Sequence, residues 1–322
     1  MRQRMWLIVL LALPCTALAQ GPVNTPKAVQ RDVLPKTAPA AFAAGEALRG
    51  EEGFTDIAKA IAYYSRAIAL DATFAPAFVR RAEARFCQAE YRDSIADFDR
   101  AVALLPTDAT LITLRGIAYL RVGDSRRAIA DLDEAVRLRP DFLPAYGNRG
   151  NAWENLGDHE RAIADYTAVL RLDPSDVRAY SLRGLAYVTA GKMREGVTDL
   201  DTALALDPDQ PQVHTRRAFA LAALGDYMGA IQDLNESLAA APADPQLYLS
   251  RGHAYSSLGK LEQAVMDFNR ALQINPSERG AYLARGKAYG LMGLRNLAYK
   301  DWRQACAQGF EETCEWLKKN PE

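Results

Sequence analysis

The chain comes back to proline every 34 residues. Pro106, Pro140, Pro174, Pro208, Pro242 and Pro276 keep that spacing without insertion or deletion, and Ala72 and Phe310 stand in the same register at the two ends. A fixed period of this length marks an array of repeated supersecondary units, so it outweighs the two independent domains that 322 residues would otherwise suggest. With the proline as position 32, eight units follow: 41–74, 75–108, 109–142, 143–176, 177–210, 211–244, 245–278 and 279–312. Ala, Leu and Arg dominate them and strand patterns are missing, so each unit is read as helical.

Within the unit, small residues recur where two helices have to approach. Position 8 is Ala82, Gly116, Gly150, Gly184, Ala218, Gly252 and Gly286, position 10 is alanine from Ala84 to Ala288, and position 20 is mostly alanine. Bulky groups fill complementary sites: Tyr119, Trp153, Tyr187, Tyr255 and Tyr289 at position 11, and Tyr64, Phe98, Tyr166, Phe268 and Trp302 at position 24. Small against large is how facing helices interdigitate at native density. Gly123, Gly157, Gly191, Gly225, Gly259 and Gly293 separate the two apolar stretches where a helix end takes a positive φ. The proline then stops the second helix, because the residue before it resists helical geometry.

Small at 8, aromatic at 11, glycine at 15, alanine at 20, aromatic at 24, alanine at 27 and proline at 32 resemble the tetratricopeptide repeat (TPR). The resemblance covers about five-sixths of the chain and implies an all-α fold, a right-handed alpha-alpha superhelix of about eight helix-turn-helix repeats. It departs at Ser94 and Gly196 (position 20), at Val169 and Ser237 (position 27), and in the first unit, where Leu48 stands at the small position.

Charge follows the same period. Position 7 is Arg81, Arg115, Arg149, Arg183, Arg217, Arg251 and Arg285, and position 23 is Asp97, Asp131, Asp165, Asp199, Asp233, Asp267 and Asp301. The two positions are equally far from the turn glycine, so an antiparallel helix pair brings them level. Each Arg is therefore expected to pair with the Asp of its own unit. The first unit lacks both partners, with Ala47 and Tyr63 in their places. The rival reading, free arginines gripping an anionic ligand, would leave costly unpaired charge in a helix interface.

The front of the chain reads as an address. Arg2 and Arg4 precede an apolar run from Met5 to Leu13, and Ala17-Leu18-Ala19 offers the small-x-small pattern for cleavage. Residues 1–19 are thus expected to be a signal peptide cut after Ala19, with export to the periplasm or beyond. A run so short does not span a bilayer, which takes about twenty apolar residues. Cys15 follows Pro14, whereas a lipoprotein signal wants a small residue there. Residues 20–40 carry scattered prolines and read as a flexible linker. The formal net charge of −1 falls to about −3 without Arg2 and Arg4, so no basic excess points to nucleic acid.

Cys306 and Cys314 close the repeats in "CAQGFEETC", ahead of a capping helix at 313–322. Their spacing resembles the bridged pair of Sel-one-like repeats, relatives of TPRs, and implies a disulfide; two small core residues are the alternative. Cys87 is left over and reads as a buried thiol. His159, His214 and His253 fall in three repeats outside any metal-binding spacing, and no nucleophile elbow or phosphate-binding glycine loop is present. No metal, cofactor or catalytic residue is expected, and the chain is read as a non-enzyme.

What remains is the face lined by the first helix of each unit. By resemblance to TPRs it gathers Val79, Phe86, Ile117, Leu120, Asn151, Asn155, Leu185, Val188, Phe219 and His253. The lysine of chaperone-binding TPR clamps has no counterpart at position 5. The lining therefore implies a protein or peptide held by apolar pockets, with Asn151 and Asn155 bonding its backbone, and a scaffold of bacterial envelope assembly or secretion. The runner-up is a non-catalytic binder of wall glycan or another non-protein ligand, which would need aromatic platforms. Oligomeric state is not encoded in these patterns, although the irregular first unit is the end expected to self-associate.

Overall fold

The computed structural model describes residues 35–50 and 53–320. The stretch expected to be a signal peptide, 1–19, and most of the expected linker lie outside the described residues. The chain divides into two compact units, ending and beginning at Pro174 and Ser175.

The first unit holds α1 (Ala38–Glu46), β1 (Arg49–Gly50), β2 (Gly53–Phe54), α2 (Ile57–Leu70), α3 (Ala75–Cys87), α4 (Tyr91–Leu104), α5 (Ala109–Arg121), α6 (Ser125–Leu138), α7 (Leu143–Asn155) and α8 (His159–Leu172). The second holds α9 (Val177–Thr189), α10 (Met193–Leu206), α11 (Pro211–Ala223), α12 (Tyr227–Ala240), α13 (Pro245–Ser257), α14 (Leu261–Ile274), α15 (Arg279–Leu291), α16 (Arg295–Ala307) and α17 (Glu311–Lys319). In each unit consecutive helices pack as hairpins and each hairpin packs on the next, while α17 lies on α16. The fold is all-α, as the period requires.

The hairpin turn is built the same way each time. At the end of α7 the Gly157 N–H donates to Glu154 O and the Asp158 N–H to Trp153 O, with Gly157 at φ +77°. That closure satisfies carbonyls the helix would otherwise leave bare. Asp158 then caps α8, its Oδ1 accepting from the Arg161 N–H at 3.1 Å. Ala89 occupies this left-handed position after α3, at φ +62°, where a side chain costs about 1–2 kcal/mol.

Between the helices, position 8 faces position 24. A Cβ on Gly150 would sit 2.6 Å from the Tyr166 ring, and one on Gly252 would meet Phe268 equally closely. Tyr166 and Phe268 are almost wholly buried, so the missing methylene is what lets the rings lie flat against the opposite helix.

The first repeat departs from the sequence reading in two ways. The small residue against Tyr64 is Gly45, three residues ahead of the Leu48 that the frame assigns. The extra residues form a two-stranded antiparallel ribbon, Arg49 opposite Phe54 and Gly50 opposite Gly53, where no strand is expected. Gly53 at φ +126° makes that reversal possible. Helix α1 accordingly starts at Ala38, within the stretch read as linker, with Thr37 as its cap. Tyr64 closes the junction by donating to Glu46 Oε1 at 2.7 Å.

Because Ala89 is the one non-glycine residue with positive φ among the described residues, Ala89→Gly should raise stability by about 0.5–1 kcal/mol, the relief of left-handed strain less the added chain entropy of glycine. Gly157→Ala should lower it by a similar amount. Urea unfolding midpoints of both variants against the parent test the pair.

Candidate functional site

Every periodic arginine of the described chain forms a two-pronged contact with the aspartate of its own repeat. Arg149 donates from Nε to Asp165 Oδ2 at 2.9 Å and from Nη2 to Oδ1 at 2.6 Å. The same geometry recurs between Arg81 and Asp97, Arg115 and Asp131, Arg183 and Asp199, Arg217 and Asp233, Arg251 and Asp267, and Arg285 and Asp301, all between 2.6 and 2.9 Å. The aspartates are buried. Only a planar fork serves both carboxylate oxygens at once.

The third nitrogen reaches back one repeat, which the sequence reading missed. Nη1 of Arg115 donates to Asp99 at 2.9 Å, that of Arg149 to Asp133 at 2.7 Å, and that of Arg217 to Asp201 at 2.7 Å. Ser65 receives Arg81 at 3.0 Å and Asn235 receives Arg251 at 2.6 Å. All these acceptors sit at position 25, which carries Ser, Asp, Thr or Asn in the first seven repeats. The signal was therefore in the sequence, as an oxygen acceptor of changing identity at position 25 of every repeat but the last. With the guanidinium so engaged, a ladder of arginines open to a ligand finds no support.

The electrostatics show what such a cluster is worth. Hydrogen bonding to the aspartate, with its charge, holds the Arg115 and Arg149 guanidinium pKa values well above the ordinary range. Burial nevertheless pushes the Asp131 and Asp165 carboxyls above theirs, against the pull of the arginine. Desolvation thus cancels much of the attraction, and the pair matters mainly through what would be left unpaired if one partner were lost.

The ten residues assigned to the inner face separate by burial. In the first unit Phe86, Ile117, Leu120 and Asn151 are buried, Ile117 at 0% exposure, and Val79 is half-buried; only Asn155 is exposed. In the second unit Val188 is buried and Leu185 half-buried, whereas Phe219 is 64% exposed and His253 is exposed. Tyr166 donates to Asn151 Oδ1 at 2.8 Å, while Asn151 Nδ2 and the neighbouring Asn148 Oδ1 are buried without a hydrogen-bond partner. His253 stands edge-on to Phe268 at 5.4 Å, and desolvation followed by the nearby Lys287 ammonium lowers its pKa. His214 makes two contacts, Nδ1 to Asp233 Oδ1 at 2.8 Å and Nε2 to the Pro208 carbonyl at 3.2 Å.

Cys306 and Cys314 are joined as a disulfide with Cα atoms 4.9 Å apart. No cysteine among the described residues is a free thiol, which corrects the reading of Cys87 as one. Among the described residues no cluster of His, Cys, Asp and Glu is arranged to hold a metal ion, and no helix is long and apolar enough to cross a membrane.

Family models for the tetratricopeptide repeat match residues 113–177 and 149–218, and one for the TPR repeat matches 252–293. The chain is a tetratricopeptide-repeat protein. No curated protein matches it. Similar solved structures include a TPR protein from Parabacteroides merdae ATCC 43184, 21% identical with a TM-score of 0.57, covering 76% of this chain and 97% of that one. The APC/C hetero-tetramer Cut9-Hcn1 contributes a chain 19% identical with a TM-score of 0.56, covering 83% of this chain and 53% of that one. YrrB, described as a TPR protein with an unusual peptide-binding site, is 20% identical with a TM-score of 0.52, covering 57% and 95%. These similarities establish a common TPR fold.

In this TPR protein, Arg149→Ala should cost about 2–4 kcal/mol, below the fully buried limit because the arginine keeps some solvent contact. Removing Asp165 as well should recover part of that, a coupling of about 1–3 kcal/mol. Asp133→Ala, at the exposed third contact, should cost less than about 1 kcal/mol. Chemical denaturation of these three variants and of Asp165→Ala alone measures all of these, and purely additive losses for Arg149 and Asp165 would refute the paired reading.

Proposed function

We propose that this TPR protein is an interaction scaffold that holds a peptide or partner protein on its inner helical faces. The observation that carries this is the exposed series at position 9 of the second unit. Phe219 on α11, His253 on α13 and Lys287 on α15 occupy the same place in successive repeats and all face solvent. An aromatic ring left 64% exposed, with an imidazole and an ammonium at the same position of the next two repeats, offers the apolar anchor and polar rim that peptide recognition uses. YrrB, of like fold, has a peptide-binding site, which supports the same use of this face.

The site of action in this reading is the bacterial envelope, in assembly or secretion. Its supports are the leader pattern at residues 1–19 and the Cys306–Cys314 disulfide, since such bridges persist in oxidising compartments.

A chain beginning at Gln20, immobilised and exposed to envelope extract, should capture a protein that Phe219→Ala releases at least tenfold more readily. Circular dichroism should show unchanged helix content, because Phe219 lies outside the packed core. Capture that ignores Phe219→Ala would place the partner elsewhere and end this reading.

A further inference from the structure

The far end of the second unit holds a second surface, which meets the inner-face series only at Lys287. Helices α15, α16 and α17 enclose an open cleft of about 460 Å³, with Leu283 and Lys287 on one wall, Trp302 from α16, and Glu312, Thr313 and Trp316 on the other. Its size is that of small-ligand pockets.

Three features of its chemistry point to one kind of occupant. Trp302 and Trp316 meet edge to face, centroids 4.8 Å apart at 73°, and Tyr299 braces both at 5.6 and 5.9 Å. The indoles are held in place although Trp316 stays 43% exposed. Indole faces are electron-rich and attract ammonium groups, quaternary ones included, while offering nothing to an anion. Glu312 adds a carboxylate on the same helix as Trp316. Across the cleft Lys287 adds an ammonium, and among the described residues neither charge has an ion-pair partner. A simple cation would gain the indoles and Glu312 but face Lys287. A simple anion would gain Lys287 but face Glu312.

We infer that this cleft binds a small zwitterion, its ammonium seated on the Trp302–Trp316 pair beside Glu312 and its carboxylate or other anionic group directed to Lys287. The wall that supplies Glu312 and Trp316 is α17, none of whose residues is buried, and the Cys306–Cys314 disulfide is its covalent tie to α16. Binding therefore requires the oxidised protein.

Calorimetry and tryptophan fluorescence on the full chain test this with glycine betaine and γ-aminobutyrate as zwitterions, choline as the lone cation and acetate as the lone anion. At least one zwitterion should bind ten-fold or more tighter than choline or acetate and change the fluorescence. Lys287→Gln should reduce that zwitterion to the affinity of choline, and Glu312→Gln should weaken zwitterion and choline alike. Lys318→Gln, on α17 outside the cleft lining, should change nothing. Reducing the disulfide should cost at least ten-fold in zwitterion affinity. The inference is overturned if neither zwitterion outbinds choline, if Lys287→Gln and Glu312→Gln leave binding unchanged, or if binding survives reduction. Phe219 lies outside the cleft lining, and Glu312 and the disulfide lie outside the inner-face series, so Phe219→Ala on one side and Glu312→Gln with reduction on the other let the two readings fail separately.

Discussion

The guanidinium shared among three oxygens is the contact on which the rest of the repeat depends. Two of its bonds close a hairpin on a buried aspartate, and the third ties that hairpin to the one before. Because it lies level with the point where small residues meet aromatic ones, it fixes the height at which the helices face each other. A lysine could supply charge there, but a point charge cannot serve two carboxylate oxygens and a neighbour along separate directions. The arrangement stabilises little net of desolvation, yet it penalises any register in which an aspartate is buried alone.

Much of this was legible from sequence because it depends on spacing alone. The turn glycines, the Gly150–Tyr166 kind of fit and the Arg–Asp pairing each follow from equal distances to a turn. What escaped has local physical causes. The first repeat carries its extra residues in the turn, where prolines further along give no measure of length, so Gly45 was overlooked in favour of Leu48. The acceptors at position 25 change identity among Ser, Asp and Asn while keeping an oxygen, and a search for identical residues passes over them. The hydrogen bond recognises the atom and ignores the name.

Exposure was the least legible property, since it belongs to neighbours rather than to the residue. Ile117 and Phe219 hold the same position in their repeats, yet one is sealed and the other is largely open. The two units therefore present unlike surfaces from one sequence template. Trp302 likewise reads as a core aromatic at position 24, and its second role as part of a cleft emerges only when α17 brings Trp316 against it.

Helix α17 shows how an array can be finished at an end. In a chain of hairpins stabilised by nearest neighbours, the outermost element has support on one side only and is the first to fray. Here that element buries no side chain, so packing alone gives it a weak hold. A disulfide between cysteines eight positions apart limits the freedom this helix could gain by peeling away. The redox poise of the surroundings thereby helps decide whether α17 comes away before the hairpin it lies on.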